Sequence, residues 1–383
     1  MTACLFGTYV GPHSANRLLR LALVGAGWDV VECHAPLWEE TPYKTARYFG
    51  AGSLARLGVA WTAAMVRLVG RWRQLAGAPP LVVVPFGGHL DVLVARRVCR
   101  PRLGLVFVPL VSLTETLVED RRVFPAGGLR ARGVAALDRL ALRAAELVLA
   151  DTAAHAEYLA RLGAPRARLD AWHHGVEPEF LSARTARPVP RRVIFYGRHL
   201  PLHGVDTIVE ASVRLGERAD IELIGGGPER ARAEALARRL GARIRWREEV
   251  PLESLPDELA SAAVVLGVFG ASEKAGMVVP NKVYQAAAAG RPLVTRDGPA
   301  LREAFRPGEH CLACPPADPD ALATAVRTLL DDPGFAERVG HAARAHVLDR
   351  FAPDRQAARL GAILTARFGS VPPLGALAHA ADA

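Results

Sequence analysis

The stretch VVLGVFGASEKAGMVVPNKVYQAAAAGRPL, Val264–Leu293, decides how the rest of the chain is read. Val264, Val265, Leu266 and Val268 form an apolar strand, and a Gly/Ser loop holding Gly270, Ser272, Lys274 and Gly276 follows it. A helix then opens near Pro280, Asn281 and Lys282, runs through Ala286–Ala289 and stops at Gly290. Proline at the start and glycine after the last apolar residue are ordinary helix punctuation. The loop brings unpaired backbone N–H groups to a helix N-terminus beside two lysines. Free amides and the helix dipole both favour negative charge there, so the arrangement suits a phosphate group. A plain strand–loop–helix unit of an α/β domain accounts for the same residues without a ligand.

Outward from this stretch the same alternation repeats. In the second half, VIFYG (Val193–Gly197) is a strand followed by a loop to Gly204 and a helix, Val205–Leu215. IELIG (Ile221–Gly225) is a strand that ends in Gly225-Gly226-Gly227-Pro228, with a helix to Leu240. Ile244–Trp246 and PLVT (Pro292–Thr295) are further strands, and the segments 319–330, 335–349 and 351–368 are helical. In the first half a strand, Ala3–Phe6, ends in Gly7-Thr8-Tyr9-Val10-Gly11-Pro12, and WDVVECH (Trp28–His34) is the next strand. LVVVP (Leu81–Pro85) and Leu103–Val108 end in Phe86-Gly87-Gly88-His89-Leu90-Asp91 and in Ser112–Thr116. Uniformly apolar strands alternating with helices predict two α/β domains with doubly wound parallel sheets. The first glycine loop lacks GxGxxG spacing, so a dinucleotide site is not supported. It still lies at a sheet edge where ligands bind, which makes Gly7 a candidate. The predicted boundaries are an N-terminal domain 1–182, a Pro-rich linker 183–192 and a second domain 193–350. A last helix, 351–368, crosses back, and 369–383 is a loose tail.

Composition narrows the function classes. The 383 residues are half hydrophobic and carry a formal charge of +9, with arginine far in excess of lysine. A basic balance favours polyanions such as nucleotides, diphosphates or anionic lipid. Aromatics are sparse and the arginines scatter along helices, which argues against a nucleic-acid platform. Five cysteines without framework spacing point to a reducing, cytoplasmic setting. Cys311 and Cys314 form a single CxxC with no second pair for zinc. Asp318 and Asp320, in ADPD, read as a helix cap and the first turn rather than as metal ligands. No run is long enough to span a bilayer, and the first residues lack an export-signal pattern. Between Tyr43 and Arg73, LARLGVAWTAAMVRLVGRW reads either as a surface helix over the sheet or as an amphipathic helix on an anionic membrane, a peripheral contact at its inner face.

Ordered motifs then carry a resemblance. YGRHLPLHGVDTIVEA (196–211), IELIGGGPE (221–229), VPLESLPDELASAAVVLG (250–267), VVPNKVYQAAAAGRPLVT (278–295) and ALREAFRPGEHCLACPPADPDALATAVRTLLDD (300–332) occur in the order found in the nucleotide-sugar domain of retaining GT-B glycosyltransferases, family four, which the chain resembles. HHGVEPEF (173–180) resembles the family's entry into the linker, and the first 34 residues resemble a bacterial branch.

The resemblance implies a GT-B fold, two Rossmann-like domains facing a cleft. It also implies a nucleoside-diphosphate sugar as donor substrate, no metal or further cofactor, and retention of configuration. The acceptor is unidentified, either lipid-linked or a glycan. On the donor side it assigns Arg198 to the leaving diphosphate. The family's second cation falls at His203, with Lys274 or Lys282 supplying the charge that a histidine lacks. Gly226 lines the phosphates, and the base rests near Arg247–Val250, on main-chain groups. The family's E-x7-E pair falls on Met277 and Gln285, so Gln285 meets the ribose hydroxyls, and amides of Gly276, Met277, Val278 and Val279 read the sugar. His89, Asp91 and Glu115 are the catalytic-face candidates in the first domain, with Arg198 opposite. A non-catalytic nucleotide-sugar-binding subunit, or an epimerase on the same fold, stands as the alternative.

Overall fold

The computed structural model describes residues 1–37, 51–75, 77–182 and 187–369, with side chains of the second helix from Ala55 onward. Tyr43, Lys44, Arg47 and the tail beyond Gly369 lie outside the described residues.

The chain forms two compact units, one made of Met1–Val118, Val123–His174 and Pro353–Ala383, the other of Glu119–Arg122 and Gly175–Ala352. The first holds strands β1 (Thr2–Gly7), β2 (Asp29–His34), β3 (Leu81–Val84), β4 (Gly104–Phe107), β5 (Leu147–Ala150) and β6 (Leu169–Ala171). The second holds β7 (Arg192–Tyr196), β8 (Asp220–Ile224), β9 (Ile244–Arg247), β10 (Val264–Leu266), β11 (Leu293–Arg296) and β12 (Leu312–Cys314). Their orders are β2-β1-β3-β4-β5-β6 and β12-β11-β10-β7-β8-β9. Every pairing is parallel.

Residues of LVVV, GLVF and LVLA are all buried, as strands covered by helices on both faces must be. Right-handed crossovers fix which helix covers which face. In the first unit the helices Ala51–Gln74, Asp91–Val98 and Leu129–Ala144 lie side by side over one face, while Ser14–Gly25 packs with Pro353–Phe368 over the other. Leu19, Leu23, Leu360 and Leu364 share one core with Leu5 and Val83.

The order reverses between β1 and β3 in one sheet and between β7 and β10 in the other. A crevice forms at the C-terminal strand ends of such a switch point, and ligands of open α/β sheets bind there.

Two boundaries differ from the sequence reading. The division between units falls after His174 rather than at residue 182. Val176 N–H donates to the Phe351 carbonyl at 3.1 Å, and Glu177 pairs with Gln285, so this segment is fastened to the second unit. The loop before Pro280 is not free: Glu273–Met277 is a short helix whose first turn is capped by the Ser272 hydroxyl, which accepts from Ala275 N–H.

Candidate donor and catalytic sites

The second unit's switch point is built by backbone approach. A side-chain carbon at Gly225 would fall 2.4 Å from the Gly197 carbonyl oxygen, and one at Gly227 would fall 2.6 Å from backbone atoms of His199. With φ of +115° and +152° at these positions, only glycine lets the end of β8 close onto the end of β7. Hydrogen bonds from Gly197 N–H to Ile224 O and from His199 N–H to Gly226 O then tie the two loops together.

Beneath Gly197 lies Lys282, in the first turn of the helix Asn281–Ala288. It is one of only three lysines in the chain, it is buried, and its Nζ has no hydrogen-bond partner among the described residues. The ammonium sits 3.8 Å from the Phe195 ring centroid and 5.7 Å from that of Tyr196. Burial pushes its pKa well below the usual lysine value. His199 is fully buried beside it, with neither ring nitrogen bonded among the described residues. Burial, with Arg230 and Lys282 nearby, lowers the His199 pKa to about 4. Buried polar groups are almost always satisfied, and a lysine and a histidine left open together suit an anionic ligand.

His203 does not supply the second cation expected of it. It is buried, its Nδ1 hydrogen-bonds the Arg198 carbonyl, and burial with the neighbouring Lys282 holds it neutral, well below the usual histidine value. Arg198 itself is exposed.

Gln285 differs from expectation as well. Its Nε2 donates to both carboxylate oxygens of the fully buried Glu177, at 2.9 and 3.1 Å, and its Oε1 accepts from the Tyr196 hydroxyl at 2.7 Å. Both ends of the amide are taken up by protein, so its first task is to hold the helix rather than a ribose.

Lys274 and Met277 are buried in the short helix. Val278 and Val279 follow it, and the space behind Gly276, Val278 and Val279 is about 10 Å3. The amide run is thus backed by packed protein. Val250 is half-buried beyond β9, and the nearby Arg247 is committed to Glu258 at 2.6 Å and Glu222 at 3.1 Å. Cys311 and Cys314 are buried free thiols whose pKa values burial raises to about 12. No group of three or more metal-ligating side chains occurs among the described residues.

In the first unit the three catalytic-face candidates are engaged by protein. Asp91 is buried and accepts from Thr8 N–H at 2.6 Å, from the Thr8 hydroxyl at 2.9 Å and from Trp61 Nε1–H at 3.1 Å. It pins the Gly7–Thr8 loop at the β1–β3 switch point, and burial raises its pKa. His89 is buried with its ring edge-on to Phe107 and Nε2 3.6 Å from Asp138, and burial lowers its pKa. Glu115 is fully buried, 3.0 Å from His155 Nε2, while Asp151 meets His155 Nδ1 at 2.6 Å. Burial works against charge on His155, but the two carboxylates prevail and raise its pKa to about 10. An imidazolium between two carboxylates is a locked structural group rather than a proton carrier at neutral pH.

Glu177, His199 and His155 were missed in the sequence. Glu177 and His155 act through partners distant in the chain, Gln285 and Glu115, whereas His199, next to Arg198 in the loop after β7, carried a local signal.

The family described as glycosyl transferases group 1 matches residues 190–332. A D-inositol 3-phosphate glycosyltransferase of Kribbella flavida is 30% identical over 290 residues, 68% of this chain and 67% of that protein. Sucrose-phosphate synthase from Thermosynechococcus elongatus superposes with a TM-score of 0.73 at 18% identity, over 97% of this chain and 100% of its own. Anabaena HepE, solved in complex with UDP-glucose, gives 0.69 at 15% identity, over 96% and 100%. The fold is GT-B. Among the described residues no helix is long and apolar enough to cross a membrane.

Proposed function

The chain belongs to the glycosyl transferases group 1 family, and from that premise we propose that it transfers a sugar from a nucleoside-diphosphate sugar, with retention, to an acceptor hydroxyl. The observation that carries the donor assignment is Lys282, whose buried Nζ has no hydrogen-bond partner among the described residues and lies under the glycine-lined end of β7 at the N-terminal turn of a helix. A diphosphate supplies the missing counter-charge, and the amides of the first turn add donors at the same place. Anabaena HepE holds UDP-glucose on the same fold.

In this reading the bond from the anomeric carbon to the β-phosphate oxygen breaks as charge develops on the diphosphate. Lys282 and the exposed Arg198 stabilise that charge, more strongly in the transition state than in the bound donor. The acceptor oxygen bonds the anomeric carbon from the same face, and its proton passes to the leaving phosphate oxygen. Such a transfer needs no strong protein base, which fits a first unit whose His89, Asp91 and Glu115 are held in structural pairs. These three position the loops around the acceptor rather than transfer its proton. Positive side chains take the part of a metal, and no other cofactor enters.

Titration calorimetry with UDP, GDP and ADP, followed by incubation with the corresponding radiolabelled sugars, tests the proposal. One diphosphate is expected to bind, its sugar donor to undergo slow hydrolysis, and Arg198→Ala to lower turnover at least tenfold. No heat with any of the three would overturn the donor assignment. Binding without hydrolysis or transfer would favour a nucleotide-sugar-binding subunit.

A further inference from the structure

From Ala51 to Thr114 the sequence contains eight arginines, no lysine and a single acidic residue, Asp91. Asp91 is buried against Thr8 and Trp61, so the segment presents no negative side chain to solvent among the described residues. The helix Ala51–Gln74 sets Arg56, Val59, Ala63, Val66 and Arg73 on one exposed stripe, at spacings of three, four and seven. Val59 is 73% and Val66 69% exposed, while the opposite side of the same helix buries Ala64, Met65, Leu68 and Trp72.

The neighbouring helix Asp91–Val98 exposes Arg96 and Arg97. Beyond it, Leu129–Ala144 repeats the pattern, with Leu129, Arg132, Ala136, Leu140 and Arg143 on its outer stripe. Leu129 is 85% and Leu140 59% exposed, and the acidic residue of that helix, Asp138, is fully buried. Three adjacent helices over one face of the first sheet therefore share an outer surface of arginines and bare aliphatic side chains.

We infer that this three-helix face is a docking surface for an anionic lipid bilayer. Guanidinium groups meet lipid phosphates, and the aliphatic side chains between them enter the headgroup–acyl boundary. A nucleic-acid partner fits less well: the tryptophans of Ala51–Gln74 turn inward, Trp72 into the core and Trp61 onto Asp91, leaving no aromatic on the outer stripe for bases to stack on. The inference is independent of the donor assignment.

The full chain is sedimented with vesicles of phosphatidylcholine alone and of equal parts phosphatidylcholine and phosphatidylglycerol, at 50 and 500 mM NaCl. Binding to the anionic vesicles at low salt is expected, with at least tenfold weaker binding to neutral ones. Val59→Asp/Val66→Asp is expected to weaken binding at least tenfold, and so, independently, is Leu129→Asp/Leu140→Asp. Val213→Asp, in the second unit, is the control that changes nothing. Thermal melts of each variant verify folding, and these side chains are exposed enough that the melts should not move. Absence of sedimentation with anionic vesicles at low salt would overturn the inference. So would unchanged binding in both folded aspartate pairs, or duplex DNA displacing the vesicles completely at equal charge.

Discussion

Replacing Lys282 with Met separates the demands of binding from those of folding. In the unliganded protein a buried Nζ without a hydrogen-bond partner among the described residues is a cost, since desolvating an ammonium takes several kcal/mol even after relaxation. The Phe195 ring 3.8 Å away returns part of that, about 1–2 kcal/mol for a desolvated cation over an aromatic face. Methionine fills the same space and keeps the ring contact, so the variant is expected to be more stable by about 2 kcal/mol. For a unit of this size that raises Tm by roughly 6 °C. The same change removes a charge-assisted contact to the diphosphate, about 2 kcal/mol, or close to thirtyfold in Kd. Differential scanning calorimetry of the free protein and titration calorimetry with the preferred nucleoside diphosphate read the two effects. A melting point that falls together with an unchanged Kd would refute the reasoning, because Lys282 would then serve the fold alone.

Other consequences can be measured alongside. Burial depresses the Lys282 pKa in the free protein and a bound diphosphate raises it, so binding should take up protons. Affinity should then rise as pH falls between the two pKa values, and calorimetry in buffers of different ionisation enthalpy should report uptake of up to about one proton. Gln285→Glu restores the carboxylate that the family resemblance places there, yet sets it against Glu177 at the 2.9–3.1 Å of the present hydrogen bonds. Chemical denaturation should show a loss of about 3 kcal/mol, largely recovered by adding Glu177→Gln. His155 gains its proton affinity on folding, so its contribution is complete below about pH 6.5 and is lost as pH rises toward about 10. Stability should fall there by at most about 1.4 kcal/mol per pH unit, and His155→Gln should flatten that slope.

Much of the fold was legible because it rests on local pattern. LVVVP read as a strand buried on both faces, and the structure ends it at Val84, one residue short of the reading. The strand–loop–helix around Lys282 was equally plain, since Pro280 and Gly290 bracket its helix. Ser272 was read as part of a loop although its hydroxyl caps a short helix, a local signal that was there to be taken. What could not be read are pairings set by topology. Nothing near Gln285 indicates that Glu177, 108 positions earlier, occupies its amide. Nor does the sequence around Glu115 point to His155, 40 positions later. The candidates in the first unit lie in the segments that follow β3 and β4, but whether a carboxylate there meets solvent or a buried partner is decided only when the helices pack.

The helix Pro353–Phe368 belongs to the core laid down by the first strands, with Ala357 set closely against Gly25 and Trp172 Nε1–H donating to the Gln356 carbonyl. A ribosome releases these pieces far apart in time, with the whole Gly175–Ala352 unit emerging between them. Until the helix arrives, Leu19 and Leu23 have only part of their covering, so the amino-terminal unit is the earlier of the two to be synthesised and the later to be finished. A nascent chain stalled before Pro353 should accordingly expose that patch to chaperones while its second unit is already closed.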